Sequence, residues 1–448
     1  MLIKIWFMEE PNVSIGILSG KEISFDLYGE FIVQGADKKF SGKYKAKADG
    51  NRIKIIQESK EVDSAANIIF SPNDLESESF LLREVIIGKN FHWERKENQR
   101  FRGSLKFIRE NESLTALNII PIEEYLTSVI SSEMSPNSSI ELLKAHAIIS
   151  RGWLIAQLNK KNKNAVNEKI NNEEIIRWYN REDHSNYDFC ADDHCQRYQG
   201  VSKINNDNAI HAITETRGLV LKNEDEICDT RYSKCCGGAT EAYENVWDEE
   251  SHPYLSSIID YKFEMEESGN DLTNDECAEQ WIKRNPQAFC NTDNKKILSS
   301  VLLNFDQDTV NFYRWNIEYT QDELSQLIKS KSGIDFGNII DLSPVERGKS
   351  GRIIKLKIVG TNKILTIGKE LEIRKILSQT HLYSSAFIVS KENIVEGIPG
   401  KFILQGAGWG HGVGLCQIGA AVMGELGYNF DEILSHYFKG TSIQRIYL

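Results

Sequence analysis

Glu133 stands where an acid is not expected. Ile122, Leu126 and Val129 recur at four- and three-residue spacing, the period of one buried helical stripe, and Glu133 falls next on it. A carboxylate on an apolar seam at a helix end loses solvation, which raises its pKa and lets it hold a proton near neutral pH. That is what a general acid needs. The competing reading is a solvated carboxylate at a fraying helix end.

A second cluster lies downstream. His184, Cys190, His194 and Cys195 fall within the twelve-residue segment HSNYDFCADDHC, and two thiolates with two imidazoles suit tetrahedral zinc. The spacing is not that of a zinc finger, so a polar loop with incidental thiols stays open. Four protein ligands would close the shell and make the metal structural rather than catalytic. Near the C-terminus, Gly406, Gly408, Gly410, Gly412 and Gly414 alternate through QGAGWGHGVGLCQ. In an extended strand this bares one face for close approach and puts Trp409, His411 and Val413 on the other. The pattern is not a dinucleotide fingerprint. His411 is either a groove residue or a hydrogen-bonded core histidine, and His146 reads as a core residue. Cys235 and Cys236 could be inert, supply a metal ligand or pair with Cys228, and Cys277 and Cys290 could form a disulfide in an exported protein.

These residues need elements to hold them. Pro121 suits the first position of the helix that carries Glu133, and Met134-Ser135-Pro136 stops it, because the residue before proline is pushed out of the helical region. Ser138 with Glu141 fits a capping box opening a second helix, whose Leu142, Ala145, Ile149, Trp153 and Ala156 keep helical spacing. Leu143, Ala147, Leu154, Ile148 and Ile155 make it apolar nearly all round and central to a domain. Lys144, His146 and Arg151 interrupt it too often for a membrane span.

Before Glu133, strands are expected at Ile3 to Phe7, Val13 to Ile17, Ile23 to Leu27, Phe80 to Ile87, Leu105 to Ile108 and Leu114 to Ile120. Asn159 to Glu174 reads as a surface connection. Helices are expected at Asp275 to Lys283, Asp322 to Lys331, Lys369 to Ser378, Leu415 to Leu426 (ended by Gly427) and Phe430 to Phe438. Arg352 to Val359 and Ile364 to Ile367 read as a hairpin through Gly360-Thr361-Asn362. The fold class is α+β: a β-rich region over 1–100, a mixed core over 101–260 and 346–448, and an inserted or satellite acidic lobe over 261–345.

A chain of 448 residues with 40% hydrophobic content is globular and large enough for several domains. Its net charge of −12, with no concentrated basic run, excludes nucleic acid as the main partner. Met1 to Met8 is followed at once by Glu9 and Glu10, too short an apolar run for a signal peptide. The expectation is therefore a protein that stays in the cell, or one whose leader has been removed.

Three segments together resemble the SpoIID/LytB domain family. They are NIIPIEEYLTSVISSEMSPNSSIELLKAHAIISRGW, YSKCCGGATEAYENVWDEESHPYL and FILQGAGWGHGVGLCQIGAAVMGELGYNFDEILSHYFKGTSI, in the family's order. The resemblance spans about residue 100 to the end and is poor over 261–345. It implies a peptidoglycan lytic transglycosylase that cleaves the MurNAc to GlcNAc bond of denuded glycan and leaves 1,6-anhydroMurNAc ends. The family's catalytic acid lands on Glu133, although Ser135 intervenes before Pro136. Arg151, Trp409, His411 and Gln417, in the matched blocks, are the expected substrate-binding residues, and His184, Cys190, His194 and Cys195 the expected zinc site. Cys416 stands where the family has serine. The resemblance implies a cell-envelope location and allows two other readings: a glycan-binding enhancer of a cell-wall amidase, and a zinc hydrolase built on the His/Cys block.

Overall fold

The computed structural model describes residues 9–33, 38–88, 94–135, 137–160, 168–178, 184–192, 195–204, 207–262, 271–301 and 311–448. The strand expected at Ile3 to Phe7 lies outside them, as do Pro136 and His194.

The N-terminal region alternates buried and exposed residues, as in Asn12–Gly20 and Glu22–Val33, the period of strands with one face on a core. These strands join an eleven-stranded sheet that continues through Ser104–Glu110 and Ser113–Pro121. Strands at Lys39–Asp49, Arg52–Gln57, Lys60–Ala65, Ile68–Pro72 and Arg95–Phe101 belong to it as well. Sequence reading missed these because Lys and Glu crowd their solvent faces and mask the alternation. Phe25, Phe40, Phe70 and Phe107 fill the sheet's core face, with ring centroids 5.1–6.4 Å apart.

Pro121 ends the last strand of this sheet and caps α1 (Ile122–Glu133) from outside rather than occupying its first turn. α2 (Ile140–Asn159) buries fifteen consecutive or near-consecutive positions from Leu142 to Gln157 and packs against α1 and three later helices. Each fully buried Leu or Ile there contributes about 1.5–3 kcal/mol over exposure. Its cap is Ser139, whose hydroxyl accepts from Leu142 N–H at 3.3 Å. Ser138, expected as the cap, instead donates its hydroxyl to Ser300 O at 2.5 Å.

The other helices are α3 (Asp207–Glu215), α4 (Asp275–Arg284), α5 (Lys295–Val301), α6 (Gln321–Ser332), α7 (Glu370–Ile376), α8 (Gln417–Glu425) and α9 (Phe430–Tyr437). Leu415 and Cys416, expected inside α8, form a short strand parallel to Tyr232–Ser233. The expected hairpin is present as Ile353–Gly360 and Ile364–Gly368. The 261–345 segment supplies Ile339–Arg347, which extends that hairpin, and Arg314–Thr320, which pairs with Lys401–Ala407. Its α5 packs against α8.

Candidate functional site

Glu133 is the last residue of α1 and is half-buried. Ile122, Tyr125, Leu126, Val129 and Ile130 are fully buried below it, so the apolar seam read from the sequence is real. The helix stops there because Met134 turns extended, at φ −119° and ψ 149°. Ser135 N–H then donates to Ser300 O at 3.1 Å, pinning the turn after Glu133 onto α5.

The Glu133 carboxylate is held from a second direction: Oε1 accepts the backbone N–H of Arg197 at 3.1 Å. Arg197 lies two residues beyond Cys195, so the loop of the His/Cys cluster reaches the acid directly. That loop is itself anchored. Phe189–Cys190 pairs with Asn12–Gly20, Gln196 Nε2 donates to Ser150 O at 3.2 Å, and Tyr198 Oη donates to Asn118 Oδ1 at 2.6 Å.

Within the cluster, ligand atoms of His184, Cys190 and Cys195 all lie within 4.8 Å of one another. Cys195 Sγ is 3.6 Å from His184 Nε2 and accepts Cys190 N–H at 3.5 Å. Bonds of about 2.0–2.3 Å at tetrahedral angles put ligand atoms about 3.5 Å apart, so the three described residues fit a zinc ion. A deeper group, Cys236, Asp260, Cys290 and Cys416, meets the same distance criterion and is fully buried.

The glycine-rich block is not one extended strand. Lys401–Ala407 takes in only its first glycine, Gly406, and Gly408, Gly410, Gly412 and Gly414 all take positive φ, from 74° to 99°. The alternation arises because this loop threads between neighbours with no room for side chains. A Cβ at Gly412 would lie 2.4 Å from Arg352 Cζ, and one at Gly414 would lie 2.1 Å from Arg231 O. Arg352 is 1% exposed and donates to Gly410 O, Cys236 O and Ser350 Oγ at 3.0–3.3 Å. Glu241, buried beside it, accepts from Ser350 Oγ at 2.5 Å and Asn245 Nδ2 at 2.8 Å. Arg352 and Glu241 carry no periodic signal, so the sequence offered no reason to single them out.

Two of the expected substrate residues are buried and engaged within the fold. Arg151 is fully buried on α2 and makes a bidentate pair with Glu123 on α1 at 2.7–2.8 Å. Tyr447 Oη also donates to Glu123, whose carboxyl is held low despite burial by the guanidinium and these bonds. This fork needs both carboxylate oxygens, which leaves Arg151 a structural clamp. Gln417 is 3% exposed, and its Nε2 lies 3.2 Å from His146 Nε2. His146, as expected, is a core residue bonded to Ser150, with burial pushing its pKa down to about 3.

Trp409 and His411 keep partial exposure. Trp409 lies against Tyr383 and Phe312, with centroids 4.3 and 4.7 Å away. His411 meets Trp247 edge-on at 5.2 Å, and burial of most of the ring together with the Arg231 guanidinium pushes its pKa down to about 3. Arg231 stacks over Trp247 at 4.3 Å and pairs with Asp229. Cys277 and Cys290 do not pair: no disulfide forms among the described residues, and Cys290 turns to Cys236.

The family described as "Stage II sporulation protein" matches residues 110–223, which carry Glu133, α2 and the His/Cys cluster. Over this stretch the chain is similar to the SpoIID/LytB family. A domain of unknown function (DUF8618) matches 241–414, which covers the former acidic lobe and most of the glycine-rich loop. Among curated relatives, an uncharacterized protein of Brachyspira hyodysenteriae is 26% identical over 77% of this chain and 72% of its own length. The "Stage II sporulation protein D" of Bacillus amyloliquefaciens is 22% identical over 72% of this chain and 74% of its own. The "Amidase enhancer" of Bacillus subtilis is 24% identical over 71% of this chain but only 40% of its own length. Among the described residues, no helix is long and apolar enough to cross a membrane.

Proposed function

We propose that this protein is a peptidoglycan lytic transglycosylase acting in the cell envelope. Similarity to the sporulation-protein family supports a role at the cell wall, and the observation that carries the finer reading is Glu133: a half-buried carboxylate at a helix end, gripped by Arg197 N–H. In this reaction one acid serves twice. Its proton goes to the leaving glycosidic oxygen, and the resulting carboxylate takes a proton from the sugar's own 6-hydroxyl as that oxygen attacks the anomeric carbon. No second carboxylate is required, unlike ordinary glycosidases, which flank the bond with two. The partly exposed rings of Trp409 and Trp247 offer apolar faces of the kind on which sugar rings stack.

A zinc ion at His184, Cys190 and Cys195, with His194 as the expected fourth ligand, would be structural, cross-linking the loop whose Arg197 N–H orients Glu133. The chain's own residues hold the acid and move the proton.

Glu133→Gln keeps the shape and the Arg197 hydrogen bond but has no proton to give. It should abolish release of anhydro-ended fragments from denuded glycan, read by mass spectrometry, with an unchanged circular dichroism spectrum. Persistent turnover would remove Glu133 from the role. The relative named "Amidase enhancer" supports a second reading, a glycan binder that assists a wall amidase. A wild-type protein that binds glycan yet yields no anhydro ends, while raising the rate of an added amidase, would favour it.

A further inference from the structure

The deeper thiol cluster is a second candidate metal site, separate from the His/Cys loop and drawn from parts of the chain that no sequence motif connects. Cys236 follows the short strand Tyr232–Ser233, Asp260 lies beyond the 3-10 turn Pro253–Leu255, Cys290 precedes α5 and Cys416 caps α8. Their relative exposures are 2%, 0%, 1% and 0%. Cys236 Sγ lies 3.5 Å from Cys290 Sγ and 3.2 Å from Asp260 Oδ2. Bonds of about 2.3 Å to sulfur at tetrahedral angles give edges of about 3.8 Å, so the spacing suits one ion.

The surroundings are arranged as a metal site's are. Cys236 N–H donates to Cys416 Sγ at 3.2 Å, and Cys290 N–H to Asp260 Oδ2 at 3.3 Å, so backbone donors face sulfur and carboxylate as acceptors. The other carboxylate oxygen, Oδ1, accepts Tyr437 Oη at 2.7 Å and lies 3.6 Å from His436 Nε2, the outer shell that orients a ligating carboxylate. Residue 419 is glycine where a Cβ would sit 2.6 Å from Asp260 Oδ2 and 2.4 Å from Tyr437 Oη. A buried carboxylate beside three buried thiols gains little from neutral neighbours, whereas a divalent cation would compensate it.

We propose that Cys236, Cys290, Cys416 and Asp260 bind one soft divalent cation of the zinc class, as a structural staple. Three thiols release their protons to solvent as the ion enters, and no oxidant is involved. The staple fastens the 271–301 segment to α8 and to the root of the glycine-rich loop, where Cys235 exchanges backbone hydrogen bonds with Trp409 at 2.7 and 3.0 Å. It would thereby fix Trp409 without touching the reacting atoms.

The test uses the full chain purified under reducing conditions with zinc supplied. In Cys190→Ser/Cys195→Ser, where the His/Cys loop is disabled, about one zinc per chain should remain by elemental analysis. Adding Cys236→Ser and Cys290→Ser should remove it. Should that fourfold variant not fold, cobalt(II) loaded into the twofold variant should give thiolate-to-cobalt charge-transfer absorption. Absence of metal from the twofold variant, retention by a folded fourfold variant, or absence of the cobalt band would overturn the proposal. So would an intact mass showing two of these thiols joined as a disulfide.

Discussion

Residue by residue, burial decides which polar groups are scaffold and which are available. Arg151 and Glu123 illustrate the first kind: the pair is 0% and 4% exposed and closed by Tyr447. Removing one partner strands the other charge, so Glu123→Gln should lower the unfolding free energy by about 3–5 kcal/mol, measured by denaturant titration. His146 makes a pH prediction. Its pKa is about 3 in the folded protein and about 6.5 unfolded, so the unfolded chain binds the extra proton between these values. Stability is then complete above about pH 6.5 and falls as pH drops toward 3, by about 1.4 kcal/mol per pH unit for one proton. His146→Gln should flatten that slope between pH 6 and 4.5 by one proton's worth, read from urea midpoints. Asp229, pushed down to about 2 by Arg231 and Lys160 despite burial, behaves differently. The stability it adds above about pH 3.8 is lost only as pH falls toward 2, below the window measured.

At the level of elements, the site depends on chain ends and turns rather than on regular structure. Ser139, not Ser138, caps α2. Ser139→Ala should therefore cost about 0.5–2 kcal/mol through the lost cap, with no change in the Ser300 anchor that Ser138 holds. The glycine-rich loop offers a sharper contrast. Gly427 and Gly412 both have positive φ, 90° and 78°, but only Gly412 is hemmed in, by Arg352. Gly427→Ala should cost about 1 kcal/mol from backbone strain alone, and Gly412→Ala several-fold more, because the Arg352 guanidinium must move away from its buried carbonyl partners. Thermal denaturation of the two variants side by side would show it.

Across the whole molecule, distant segments converge on Glu133. The strand edge at Asn12–Gly20 holds Phe189–Cys190, the His/Cys loop holds Glu133 through Arg197, and Ser300 holds the turn that follows. On the proposed function, stripping zinc from the His/Cys loop should lower both the melting temperature and glycan cleavage, and adding zinc should restore both. If cleavage is unaffected while the melting temperature falls, the loop stabilises the fold without orienting the acid.

The sequence by itself determined what local periodicity and chain covalency can determine. The seam of α1, the apolar surround of α2, the proline stop after Glu133 and the hairpin at residues 353–368 are all short-range patterns, and the His/Cys residues are close along the chain. Three tertiary contacts decided the rest. Arg151 read as a substrate-binding residue until Glu123 and Tyr447 enclosed it, and the glycine alternation read as a strand until Arg352 and Arg231 filled the space beside it. Cys290 read as a partner for nearby Cys277 until the fold set it against Cys236 and Cys416. In each case the deciding neighbour lies 28 or more residues away, and no spacing rule reaches that far, because only folding brings such groups within bonding distance.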